Sequence, residues 1–149
     1  MKFLTRREFI VAGGVLGTAL AMPVNVFAGS NSKAKVEDAI RKVTGGAPIK
    51  TGGPLLLKVD KLVENGAIVP VTLVTKKGFD VVRMALVVDD NPVPLIFSVG
   101  VDPALSGDTT ISTRIKMKQT SIVRAFATDS KGNVYMSSRP VTITIGGCG

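Results

Sequence analysis

The sequence contains no histidine and no tryptophan, and only one tyrosine and one cysteine among its 149 residues. Each absence removes a class of chemistry. Without imidazole there is no Ser-His or Cys-His nucleophile pair, and no histidine-ligated zinc, copper or haem. A lone cysteine allows no internal disulfide, no Cys-x-x-Cys redox pair and no cysteine-ligated cluster within the chain. Glycine-rich phosphate loops, Walker sequences and internal repeats are also missing. An enzyme built from this chain would need a lysine or a perturbed carboxylate as its base near neutral pH. A binding or carrier protein, not an enzyme and without a bound cofactor, is therefore the expectation. The length points to one domain.

Acidic residues are few as well: 11 Asp and Glu against 19 Lys and Arg, a formal charge of +8. Part of that excess lies in the first seven residues, at Lys2, Arg6 and Arg7. A weakly apolar run from Phe9 to Met22 follows, and Val26-Phe27-Ala28 offers small residues at a cleavage point. This is the three-part layout of a secretory signal, which places a signal peptide over residues 1–28. The run is short, carries Gly13, Gly14 and Gly17 and ends at Pro23, so it reads less well as a membrane anchor. Thr5-Arg6-Arg7-Glu8-Phe9-Ile10 resembles the twin-arginine export motif. That route moves folded proteins, often with a cofactor or an unsignalled partner aboard. No residues here suggest a cofactor, so a partner subunit is the expected passenger. The expected location is the periplasm, which excludes nucleic acid as the reason for the basic charge. The remaining +6 fits an acidic partner, a small anion, or simply a soluble surface.

The segment from Ser32 to Gly45 reads as an amphipathic helix, with Val36, Ala39, Ile40 and Val43 on one stripe, Ser32 as cap and Gly45-Gly46 as stop. After Pro48 the pattern changes to short β-branched runs: 55–59, 67–75, 80–88, 95–99, 110–118, 122–128, 134–138 and 140–145. Ile111, Thr113, Ile115 and Met117 alternate with Ser112, Arg114, Lys116 and Lys118. Val141, Ile143 and Ile145 alternate with Thr142 and Thr144. One apolar and one wet face is the signature of a sheet that covers a core on one side. Residues 81–88 are more continuously apolar, as in a central strand. Asn65-Gly66 and Asp129–Asn133 read as hairpin-type turns. Asp89–Pro94, with two prolines, reads as a loop or a sheet-to-sheet crossover. The predicted fold is an all-β, immunoglobulin-like antiparallel sandwich over residues 29–145, with a short N-terminal helix.

The tail Gly146-Gly147-Cys148-Gly149 is the most informative stretch. A thiol in an oxidising compartment is normally paired, yet this one sits between glycines one residue from the end. The glycines predict an extended, flexible arm over residues 146–149, with a reach of about 10 Å from Gly146 to Cys148. No Lys, Arg or His lies closer to Cys148 in sequence than Arg139, so its reactivity has to come from elsewhere. Cys148 then reads as a covalent handle, with an intermolecular disulfide staple as the alternative. Arg114, Lys116 and Lys118 could line a site of their own, but read first as a solvated strand face.

Taken together, the twin-arginine signal, the all-β domain, Glu64-Asn65-Gly66-Ala67-Ile68-Val69-Pro70-Val71, Asn91-Pro92, Thr113-Arg114-Ile115 and the closing Gly-Gly-Cys-Gly resemble the SoxY family of periplasmic thiosulfate oxidation. The resemblance spans nearly the whole chain. Many members end Gly-Gly-Cys-Gly-Gly, one glycine longer than here. The resemblance implies a sulfur carrier that pairs with a second, signal-less β-sandwich subunit of the SoxZ kind. It implies loading of thiosulfate onto Cys148 by a c-type cytochrome enzyme and release of sulfate by a hydrolase. Gly146, Gly147 and Gly149 would provide the flexible setting. Neither nucleic acid nor a membrane is an expected partner. The rival from another class is a structural or adhesive sandwich that dimerises through Cys148. A ubiquitin-like carrier using a terminal thiocarboxylate is a further rival, but it needs a terminal Gly-Gly and ATP.

Overall fold

The computed structural model describes residues 28–145, apart from 103 and 105–108, with side chains from residue 32 onward. One helix, α1 (Ala28–Thr44), precedes nine strands: β1 (Ile49–Thr51), β2 (Leu55–Lys58), β3 (Leu62–Asn65), β4 (Val69–Thr75), β5 (Val81–Val88), β6 (Leu95–Gly100), β7 (Thr110–Ile115), β8 (Ser121–Asp129) and β9 (Val134–Ile145). The larger sheet runs β1-β9-β8-β5-β6, with β3 also paired to β9. The smaller runs β2-β4-β7. The expected sandwich is therefore present. It is antiparallel except at one edge, where β1 and β3 both lie parallel to β9.

The two faces of the larger sheet explain the unbroken apolar character of β5. Met84, Leu86 and Val88 pack into the sandwich core with Leu57, Val71 and Leu73 of the smaller sheet. Ala85 and Val87 face the other way, onto Ala39 and Val43 of α1, with Phe126 and Val134 completing that second core. The helix buries the stripe that its spacing predicts. It ends at Gly45, which takes φ 62° and donates its N–H to the Arg41 carbonyl at 2.8 Å. Its start differs: α1 begins at Ala28, so Ser32 lies inside the helix and is not its cap.

Several strand expectations change in detail. Runs 134–138 and 140–145 form the single strand β9. Pro140 is tolerated there because it pairs with Ile122 on one side, while on the other β1 ends opposite Met136 and β3 begins opposite Thr142. No ladder partner on that outer edge needs the missing N–H. Asp89–Pro94 is a loop joining β5 and β6 within one sheet and not a crossover. Asp129–Asn133 closes the β8–β9 hairpin, as predicted. Asn65-Gly66 does not make a hairpin: β3 pairs with β9 and β4 with β2 and β7, so the turn carries the chain from one sheet to the other. β1 and β3 were not among the expected runs, since each is only three or four residues long and mostly exposed.

Candidate functional site at the root of the C-terminal arm

The predicted site residues Gly146, Gly147, Cys148 and Gly149, and the export pair Arg6 and Arg7, lie outside the described residues. The structure does define the base from which the tail departs. β9 is held along its β3 side to its last residue, while its ladder with β8 ends at Val141. Ile145 is aligned with Asn65 of β3, and its carbonyl accepts the Gly66 N–H at 2.8 Å. The Thr144 hydroxyl donates to the Glu64 carbonyl at 3.0 Å, and the Ile143 N–H donates to the Thr120 hydroxyl at 3.0 Å. Ile145 itself is 66% exposed, so the chain leaves the fold at the surface.

Gly66 is the hub of this end of the molecule. While its N–H holds Ile145, its carbonyl accepts the Met117 N–H at 2.7 Å. The turn around it is braced by the Asn65 carboxamide, whose Oδ1 accepts the Ala67 N–H at 2.9 Å. Met117 is fully buried, and Lys116 and Lys118 on either side of it are exposed. The Asn91 side chain fixes that lysine segment from the β5–β6 loop. Its Nδ2 donates to the Lys116 carbonyl at 2.7 Å, and its Oδ1 accepts the Lys118 N–H at 3.1 Å.

Stretches that are far apart in sequence thus meet at one place. Val69, Pro70 and Val71 of β4 align with Ile115, Arg114 and Thr113 of β7. The Asn65-Gly66 turn leads into β4, Asn91 clamps the extension of β7, and both reach β9 through Gly66. Each of the hydrogen bonds between these stretches uses a backbone group on at least one side and joins residues 23 to 80 apart, which sequence spacing does not reveal. The Asn-Pro dipeptide at Asn91 was a visible turn signal, but its target was not.

Nearby, a groove of about 510 Å³ between α1 and the start of β8 is lined by Val36, Ile40, Ile122 and Pro140. Lys33, Glu37 and Asp90 also line it, and two further charged members, Arg124 and Asp89, are closed on each other in a bidentate pair at 2.8 and 2.7 Å. The hydrogen bond to Asp89 raises the Arg124 pKa against the opposing effect of burial. With both partners engaged, this pair offers neither a free base nor a nucleophile. Among the described residues, no group of three or more Cys, Asp or Glu side chains is placed to hold a metal ion, and no helix is long and apolar enough to cross a membrane.

These features define a helix-covered β-sandwich whose last strand is anchored to its end and is followed in sequence by Gly-Gly-Cys-Gly. The sequence matches the family described as sulfur oxidation protein SoxY over residues 40–148, and the chain belongs to that family. Among solved structures it resembles the sulfur carrier protein SoxY from Chlorobium limicola f thiosulfatophilum, at 27% identity and a TM-score of 0.61, covering 75% of this chain and 98% of that one. The fold alone is shared with a neelaredoxin-type superoxide reductase from Ignicoccus hospitalis, at 10% identity and a TM-score of 0.51, covering 64% of this chain and 94% of that one. No curated protein matches the sequence.

Proposed function

We propose that the chain is a covalent carrier of sulfur intermediates in thiosulfate oxidation, with the Cys148 thiol as the attachment point. The observation that carries this reading is the extent of the family match, which runs to residue 148 and so takes in the only thiol of the chain. The anchored end of β9 supports it, because a fixed root lets a short tail present its cargo at a defined place on the surface. The protein acts as substrate for enzymes and performs no turnover itself.

In this scheme a c-type cytochrome enzyme couples thiosulfate to Cys148. The thiol loses a proton, an S–S bond forms to the outer sulfur of thiosulfate, and two electrons pass to the haem centre. A hydrolase then adds water across the terminal S–S bond, releasing sulfate and leaving a persulfide on Cys148. The sulfane sulfur is afterwards oxidised further or transferred. A second β-sandwich subunit, of the SoxZ kind, completes the carrier. The twin-arginine signal takes the folded pair to the periplasm.

Intact-mass measurement of the mature protein from thiosulfate-grown cells tests the reading. Reductant-sensitive sulfur adducts on the peptide that contains Cys148 are the expected result. A protein present throughout as a disulfide-linked dimer, with no small adduct, overturns it in favour of a structural sandwich.

A further inference from the structure

By sequence the thiol has no cationic neighbour, yet the fold brings two to the base of its arm. The Lys116–Lys118 segment and the arm root are joined through one residue: Met117 N–H to Gly66 carbonyl at 2.7 Å, and Gly66 N–H to Ile145 carbonyl at 2.8 Å. Hydrogen-bonded backbone segments lie about 4.8 Å apart, so two such steps put the lysine backbone about 10 Å from Ile145. The extended span from Gly146 to Cys148 is also about 10 Å, and each ammonium sits on a flexible four-carbon stem. The arm is therefore long enough to bring the sulfur to either ammonium.

Three further observations single out this pair. Met117 is buried while both flanking lysines are exposed. Asn91 grips the segment by the Lys116 carbonyl and the Lys118 N–H, so the position of both lysines is set by the fold. Among the described residues, the ion pair within salt-bridge distance is Arg124–Asp89, and neither lysine is neutralised by a carboxylate. Other charged groups at this end include Asp60, Lys61 and Glu64, at and next to β3, Arg114 of β7 and Asp90 in the β5–β6 loop. Lys61 and Arg114 offset two of the three carboxylates, and the two lysines outnumber the one that remains.

We propose that Lys116 and Lys118, held by Asn91 beside the arm root, form an oxyanion site that receives the anionic sulfur cargo of Cys148. The site takes the terminal sulfonate or sulfite-type oxygens of the adduct, and the thiolate itself when the arm is empty. This rests on the carrier reading of Cys148, but its test uses no sulfur compound and no partner enzyme.

The probe is a matched pair of alkylating reagents, anionic iodoacetate and neutral iodoacetamide. In both, the Cys148 sulfur attacks carbon and iodide leaves. Their rate ratio cancels changes in thiol ionisation and reports the electrostatic potential at the sulfur. Two unit charges about 10 Å away in water favour the anion about threefold at low ionic strength. The Lys116→Gln/Lys118→Gln protein should therefore show an iodoacetate-to-iodoacetamide ratio about threefold below that of the unaltered protein, with the difference vanishing at 0.5 M salt. Lys116→Arg/Lys118→Arg should keep the original ratio. So should Arg83→Gln, at the opposite end of β5. A ratio unchanged in the glutamine variant, or a fall that persists at high salt, overturns the proposal. Failure of the carrier reading shows elsewhere, as an absence of sulfur adducts, whichever way the ratio moves.

Discussion

The Gly66 N–H donates to the Ile145 carbonyl at 2.8 Å, and that contact ties the last described residue of the chain to the turn where it passes between the two sheets. A strand end is normally where pairing frays. Here the final residue of β9 is anchored, so the sandwich is held as far as Ile145. The consequences of this arrangement separate into effects on stability, export and sulfur chemistry.

Asn91 is predicted to stabilise the arm root through its two side-chain hydrogen bonds, both at exposed positions. Asn91→Ala should lower the unfolding free energy by about 1–2 kcal/mol, the loss expected for two such bonds. Urea unfolding measures this. An unchanged midpoint would mean that the lysine segment is held by Met117 burial alone.

Asp129 links stability to pH. Burial alone would raise its pKa, but hydrogen bonds from the Asn133 side chain and from the Asn133 and Lys131 N–H groups, with the Lys50 charge, hold it below the ordinary carboxylate range. A depressed folded pKa means that the contribution is present above the unfolded value of about 4 and is lost as pH falls through the folded one. Asp129→Asn should cost about 1–2 kcal/mol at pH 7 and progressively less towards pH 2. Urea midpoints at the two pH values check this, and a gap that stays constant would contradict it.

Much of this fold was legible in the sequence, for a physical reason: burial on one face imposes alternation, and burial on both removes it. The stripe on α1, the alternation through Ile115 and Met117 and the unbroken apolar run of β5 all reflect this. β1 and β3 were not legible because short, exposed edge strands are selected by backbone pairing to β9 and leave no apolar signal. The Asn65-Gly66 turn was visible as a turn, but its role as a sheet switch depends on which partners β3 and β4 choose. For the same reason the neighbours of the arm root could not be read in advance. The bonds that assemble it join Gly66 to Ile145 and Met117, and Asn91 to Lys116 and Lys118. The residues alone put Lys116 and Lys118 on a solvated strand face, and they are exposed, but only the fold brings them to the end of β9.

Export should depend on Arg6 and Arg7. Replacing both with lysine keeps the charge and removes the twin-arginine pattern, so the protein should remain in the cytoplasm. Cell fractionation reads the outcome. Normal periplasmic accumulation would point to a general secretory signal instead.

Gly146 and Gly147 are expected to matter for turnover and very little for stability. Gly146→Val/Gly147→Val adds bulk and backbone stiffness where an enzyme must admit the arm. The folding free energy should change by less than about 0.5 kcal/mol, and labelling by iodoacetamide should stay close to normal. Enzymatic coupling of thiosulfate should fall sharply. Retention of both rates would show that no narrow slot receives the arm.

The most direct test of the carrier assignment is thiosulfate loading of the Cys148→Ser protein by a complete oxidising system, read by intact mass and compared with the unaltered protein at matched thermal stability. The account predicts an unchanged melting temperature and complete loss of sulfur adducts, because the substitution removes the only thiol and leaves the sandwich core intact. Adducts that still form on the serine variant, or a protein that no longer folds, would contradict it.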